Sequence, residues 1–129
     1  MMKPQLKTAM TSHPHTIRLD ETVVTARKMM AALDVRHLPV LKAGEIVGVI
    51  SDRDLKLVNG EPGNVKVEDL CVDDPVTVDV DTSLFVVASV MADKRVGSVL
   101  VTDAGKLAGI FTTTDACRVL AGLLHPEEK

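Results

Sequence analysis

The sequence predicts an α/β fold of the α+β type, in which two β-α-β-β-α repeats pack about a pseudo-two-fold axis into one module. Three observations lead there. First, residues 14–55 align without a gap onto residues 75–116 at a constant offset of 61. Eleven of those 42 positions are identical, among them Pro14/Pro75, Thr16/Thr77, Met30/Met91, Gly44/Gly105, Gly48/Gly109 and Asp54/Asp115; composition alone gives about three. Second, the apolar period within each copy switches from alternation to three-to-four spacing and back, the pattern of strand, helix and strand. Third, a chain of 129 residues is long enough for one sizeable core and too short for two full ones, so the copies are expected to share it.

In the first copy, Pro14 precedes the short run Thr16-Ile17-Arg18-Leu19, a strand signal, and Asp20-Glu21-Thr22 offers a helix N-cap. Val23, Ala26, Met30 and Leu33 then fall on one helical face, with Met29 beside them and Arg27, Lys28 and Asp34 outside it. Leu38 to Leu41, a turn over Lys42-Ala43-Gly44-Glu45, and Ile46 to Ile50 read as a hairpin. Ser51 ends its second strand and opens a helix from Asp52 to Val58, stopped by Asn59-Gly60.

The second copy repeats the order: strand Val76 to Val80, helix Ser83 to Lys94, strand Ser98 to Thr102, turn Asp103 to Lys106, strand Leu107 to Thr112, helix Thr113 to Leu120. The lead-ins Leu6 to Met10 and Val67 to Cys71 match as well, each a short helical turn. The boundaries expected are repeat 1 over 3–59, a linker over 60–65 containing Gly60-Glu61-Pro62-Gly63, repeat 2 over 66–121 and a C-terminal tail over 122–129. Sheet-to-sheet packing of the copies is expected to leave two equivalent clefts, and concave sites between repeated elements suit small ligands.

Composition narrows the function. Net charge is −3 and the basic residues are scattered, so no electrostatic footprint for a phosphate backbone is present. Trp and Tyr are absent and only Phe85 and Phe111 are aromatic, which removes a stacking platform for single strands. Nucleic acid is therefore not an expected partner. Apolar runs are interrupted by Gly, Lys or Asp within about ten residues, too short to span a bilayer. Cys71 and Cys117 form no C-x-x-C or Cys/His cluster; two free thiols and no leader fit the cytoplasm.

The chemistry is concentrated in Ser51-Asp52-Arg53-Asp54 and Thr112-Thr113-Thr114-Asp115, both [ST]-x-x-D directly after a Gly-containing strand. A structural reading makes each a capping box, with the hydroxyl accepting from a backbone N–H one turn in and the carboxylate reaching back. A functional reading uses the same geometry. A helix N-terminus attracts anions, Asp54 and Asp115 suit the two hydroxyls of a ribose, Ser51 or Thr112 serves ribose or phosphate, and Arg53 neutralises phosphate charge. Gly48 and Gly109 either admit a ligand close to the strand backbone or mark a bulge or helix–strand packing. Both pairs of readings stay open.

The two units, with Arg36-His37-Leu38-Pro39-Val40 before the hairpin and Gly48-Val49-Ile50-Ser51-Asp52-Arg53-Asp54 after it, resemble the halves of a cystathionine-β-synthase (CBS) domain pair, or Bateman module, from about Lys3 to Leu120. The resemblance implies a regulatory sensor, not an enzyme, that binds AMP, ADP, ATP, S-adenosylmethionine or a related adenosine compound and acts on a client protein in trans. It requires no cofactor besides that ligand, and it implies a homodimer of CBS pairs. Carried onto this sequence, it assigns Asp54 and Asp115 to ribose hydroxyls and Ser51 and Thr112 to ribose or phosphate. It assigns Thr16, Ile17, His37, Leu38 and Pro39, with Thr77, Val78, Ser98, Val99 and Leu100, to an aliphatic adenine slot without ring stacking.

The copies diverge where the ligand is expected: Arg53 becomes Thr114, His37 becomes Ser98, Arg36 becomes Gly97 and Pro39 becomes Leu100. Unequal sites are therefore expected, the first favouring a phosphorylated nucleotide and the second weaker or suited to a less charged compound. No metal site is expected. His13 and His15 lack a third ligand, and Asp73, Asp74, Asp79 and Asp81 read as turn and cap residues. The rival function is a ligand-free dimerisation or assembly module in which the motifs only cap helices; a catalytic constellation is not encoded.

Overall fold

The computed structural model describes residues 3–58 and 63–126. In chain order the elements are α1 (Leu6–Ala9), β1 (Thr11–Ser12), β2 (Ile17–Arg18), α2 (Val23–Leu33), β3 (His37–Lys42), β4 (Glu45–Ser51), α3 (Asp52–Leu55), α4 (Val67–Leu70), β5 (Val72–Asp73), β6 (Thr77–Asp79), α5 (Leu84–Lys94), β7 (Ser98–Asp103), β8 (Lys106–Thr112) and α6 (Thr113–Leu124). They form two compact units. One comprises Pro14–Pro75, the other Met1–His13 with Val76–Lys129. Each unit holds one four-stranded sheet, ordered β2-β3-β4-β5 in the first and β1-β8-β7-β6 in the second.

The local logic repeats in both. Thr22 caps α2 by accepting from Thr25 N–H, and Ser83 caps α5 by accepting from Val86 N–H. Each helix returns the chain so that β2 runs parallel to β3 and β6 parallel to β7. The hairpins turn on two residues, since Lys42 pairs with Glu45 and Asp103 with Lys106. Ala43 and Gly44 have φ of 51° and 81°, and Ala104 and Gly105 have 53° and 81°, the double positive φ of a type I′ turn that matches strand twist.

Burial follows the apolar stripes. Val23, Ala26 and Met30 of α2 pack with Leu38, Val40 and Ile50 of the sheet, and Val87 and Met91 of α5 pack with Val99, Val101 and Phe111. A fully buried side chain of this size contributes about 1.5–3 kcal/mol relative to leaving it exposed.

The lead-ins are exchanged between the repeats. Leu6 of α1 is buried in the core of the second repeat, and Val67 of α4 in that of the first. The two-residue strands that follow, which the hydropathy pattern does not announce, close the sheets: β1 pairs antiparallel with β8, and β5 with β4. Strand partners therefore come from the other repeat.

This exchange decides the reading of Gly48 and Gly109. Each lies beside a register shift, between Val40 and Leu41 in one hairpin and Val101 and Thr102 in the other. A Cβ on Gly48 would lie 2.7 Å from Val72 O and 3.2 Å from Cys71 Sγ; on Gly109 it would lie 2.5 Å from Met10 Sδ and 2.9 Å from Thr11 O. The space that a ligand was offered is filled by the chain's own lead-in strand; beside the register shift of the bulge reading, the close contact is strand on strand rather than the helix–strand packing expected.

Two helix lengths differ from expectation. α3 stops at Leu55 rather than Val58: Leu57 N–H and Val58 N–H donate three residues back, to Asp54 O and Leu55 O, so the chain tightens out of the α-helix, and Arg27 Nη2 donates to Leu55 O at 2.8 Å and to Val58 O at 3.0 Å. The expected stop at Asn59-Gly60 lies outside the described residues, as does the first half of the linker. α6 instead runs on to Leu124, four residues past Leu120 and into the segment expected as a tail. No helix among the described residues is long and apolar enough to cross a membrane.

Candidate functional site

Both [ST]-x-x-D motifs are complete capping boxes. Ser51 N–H donates to Asp54 Oδ2 at 2.8 Å and Asp54 N–H to Ser51 Oγ at 3.2 Å. Thr112 N–H donates to Asp115 Oδ2 at 2.9 Å and Asp115 N–H to Thr112 Oγ1 at 3.3 Å. The strand before each box delivers it to a fixed place, because Ser51 is the cross-strand partner of His37 and Thr112 of Ser98.

The first unit thus gathers Ser51, Asp54 and His37 at one end of the β3–β4 hairpin, with Leu38 and Pro39 following along β3. Parallel pairing sets Ile17 against Val40 and brings the start of β2, with Thr16, to this end of the sheet. The second unit sets Thr77 against Leu100 and Val78 against Val101, beside Ser98, Thr112 and Asp115. Ile17, Leu38 and Val99 belong to the cores and Pro39 and Leu100 are fully buried, whereas Thr16 and Val78 are half-buried and Thr77 and Arg53 exposed. The core residues shape the site through their backbone, and the exposed ones supply side chains.

The boxes differ in what they leave over. Asp54 is half-buried, and among the described residues no donor meets its Oδ1. Asp115 is 6% exposed, and its bonds are more numerous. Oδ2 also accepts from Thr112 Oγ1 at 3.0 Å, and Oδ1 accepts from Arg118 Nη1 at 3.0 Å. Arg118, missed by a comparison that asks only what replaces Arg53, lies one turn beyond Asp115 on α6. The D-x-x-R spacing on a helix is the signal that finds it. Its counterpart in the first repeat is the exposed Leu57.

The charge beside the motifs is not set by the exchange of Arg53 for Thr114 alone. The second repeat has a cation at its motif, Arg118. His37 does not add a cation to the first: burial pushes its pKa down from the ordinary 6.5, against the opposing pull of Asp52 and Asp54 and with a further push from Arg36 and Arg53. At neutral pH it is a neutral imidazole. Cys71, packed against Gly48, has its thiol pushed up, first by burial and then by Asp73 and Asp54, and is a protonated packing group.

A groove of about 480 Å³ in the first unit runs along Thr16 to Asp20 and Leu41 to Gly44. It shares Thr16 and Ile17 with the candidate residues but extends to the hairpin turn, the opposite end of β3 from His37. Six strand residues separate the two ends, about 17–20 Å, so this groove is not where the boxes lie. Among the described residues no three His, Cys, Asp or Glu side chains come together as a metal site.

A family model described as CBS domain matches residues 6–58 and 67–122. A CBS domain-containing protein from Dictyostelium discoideum is 31% identical over 97% of this chain and 97% of its own. Inosine-5′-monophosphate dehydrogenase from Korarchaeum cryptofilum is 28% identical over 78% of this chain, which spans only 21% of that enzyme. Among solved structures, CBSX2 in complex with AMP superposes with a TM-score of 0.77 at 28% identity, over 92% of this chain and 97% of that one.

Proposed function

The chain belongs to the CBS domain family, and from this we propose that it is a regulatory module that binds an adenosine-containing small molecule and signals its level to a client protein in trans. The ligand is AMP, ADP, ATP or an S-adenosylmethionine-like compound, and the module itself performs no catalysis. The observation that carries the reading is the first box. Asp54 is held by Ser51, yet among the described residues one of its carboxylate oxygens is unengaged, as a receptor for a ribose diol requires. Arg53, the exposed residue directly before Asp54, is the group for phosphate. The likeness to CBSX2, whose structure contains AMP, supports the choice of ligand class.

The second reading is assembly without ligand. It is favoured by the complete caps and by apolar side chains left exposed in the second unit, Phe85 at 81% and Leu124 at 71% with Leu120 and Leu123 beside it. These suit a homodimer.

A thermal-shift panel of AMP, ADP, ATP and S-adenosylmethionine separates the two. A ligand at 100 times its Kd stabilises by about 2.7 kcal/mol, and Asp54→Ala should abolish the part of the shift due to the first unit. No shift with any of the four would leave assembly as the function.

A further inference from the structure

We infer that Arg118 is a specificity-determining residue of the second unit, restricting it to adenosine ligands that carry an anionic group beside the ribose; this rests on the proposed adenosine-binding function. The argument is a count of acceptor capacity. A carboxylate offers about four lone-pair positions. Asp115 commits three: two on Oδ2 to the Thr112 amide and hydroxyl, one on Oδ1 to Arg118. One remains, and a ribose diol needs two. The diol therefore binds fully only if Arg118 lets go of Oδ1 or the Thr112 hydroxyl turns away from Oδ2. Asp54 commits one position, to Ser51 N–H, so a diol is accepted there with nothing displaced.

Releasing Arg118 is unfavourable unless another anion receives it. The Arg118 side chain is 74% exposed while that of Asp115 is 8% exposed, so the guanidinium sits at the mouth of the site on a flexible stem. One of its five donors is used on Asp115. A phosphate or carboxylate on the ribose gives the fork a bidentate partner as the diol takes its place. A neutral ligand, such as adenosine or 5′-methylthioadenosine, either accepts a single bond to Oδ1 or strands the guanidinium. The second unit is thus the one that demands charge, the reverse of what the exchange of Arg53 for Thr114 implies.

Calorimetric titration of the full chain carrying Asp54→Ala isolates the second unit. In that background AMP should bind at least tenfold more tightly than adenosine. Adding Arg118→Met should weaken AMP about tenfold to a hundredfold and leave adenosine unchanged or tighter, bringing the two within about threefold. Arg118→Lys should keep an intermediate preference. Each variant should retain the parent's circular dichroism, and Arg118→Met should lower the melting temperature by no more than the loss of its one ion pair to Asp115. An AMP-to-adenosine ratio untouched by Arg118→Met, or an equal loss for both ligands, overturns the inference. Binding by the wild type but not by Asp54→Ala also overturns it, while leaving the proposed function standing. Failure of the wild type to bind any adenosine compound overturns both.

Discussion

Gly48→Ala is the substitution that most directly tests whether the shared glycines serve the fold. The added Cβ would lie 2.7 Å from Val72 O, several tenths of an ångström inside ordinary contact, and the obstacle is backbone. β5 must withdraw to admit it. That strand is held by two pairs only, Gly48 with Asp73 and Val49 with Val72. Weakening one or two ladder bonds costs about 0.5–1.5 kcal/mol each, and the entropy gained by replacing glycine returns about 0.4–1 kcal/mol. The net loss is about 1–2 kcal/mol, or roughly 4–10 °C in Tm for a chain of this size.

Urea unfolding followed by far-ultraviolet circular dichroism measures it, since the chain has neither Trp nor Tyr for fluorescence. Gly109→Ala supplies the internal comparison. There the nearest atom is Met10 Sδ at 2.5 Å, with Thr11 O at 2.9 Å, and a thioether moves aside more readily than a carbonyl. Met10→Ala should therefore recover a good part of the Gly109→Ala loss, whereas Cys71→Ala should recover none of the Gly48→Ala loss. A Gly48→Ala midpoint within about 0.3 kcal/mol of wild type, or one rescued by Cys71→Ala, would refute the close-packing account.

Three further outcomes follow from the geometry. Ala43→Asn and Ala104→Asn should each stabilise by about 0.5–1 kcal/mol, read as a higher urea midpoint, because both alanines sit at positive φ where asparagine is favoured. His37 is held below its unfolded pKa near 6.5, so the unfolded chain binds the proton first. Stability is full above pH 6.5 and falls as pH drops through the folded pKa, and His37→Gln should flatten that part of the stability–pH curve. Arg27→Met should cost about 1–3 kcal/mol by leaving Leu55 O and Val58 O without their charged donor, with faster amide exchange over residues 55–58 as its local signature.

The elements readable in the sequence are those whose causes are local. Thr22 and Ser83 announce α2 and α5 by hydroxyl caps, Ala43-Gly44 and Ala104-Gly105 announce the hairpins by turn chemistry, and apolar spacing marks the buried faces of Met30 and Met91. What escaped depends on contacts distant in the chain. Arg27 binds the carbonyls at the end of α3 from 28 and 31 residues away, and no pattern around Asp52 to Val58 encodes that. β1 and β5 are two residues long with both residues exposed, so alternation has nothing to register. Their trace is Gly48/Gly109, which requires a close neighbour without naming it. At the site, the boxes were legible because capping is an i to i+3 affair. The fuller engagement of Asp115 was not, because Arg118 stands opposite Leu57 in the repeat, not opposite Arg53.

The backbone repeats more faithfully than the side chains, and this explains where the units are free to differ. Positive φ recurs at His13 and Asp74, at Asp34 and Arg95, and at Ala43 and Ala104, each pair 61 residues apart though two of the three have exchanged residue type. The geometry is thus imposed by helix ends and turns rather than by a glycine at each place. Side chains escape that constraint once they reach beyond the cap. Arg27 has Ala88 as its counterpart and Arg118 has Leu57, so each unit deploys an arginine that the other lacks. In the first unit it binds carbonyls at the end of α3, and among the described residues no donor meets Asp54 Oδ1. In the second it binds the carboxylate, and α6 continues to Leu124. The same cap built twice therefore becomes an open acceptor in one unit and an arginine-guarded acceptor in the other, a difference that comes from where the guanidinium is spent rather than from any change in the backbone that carries the motif.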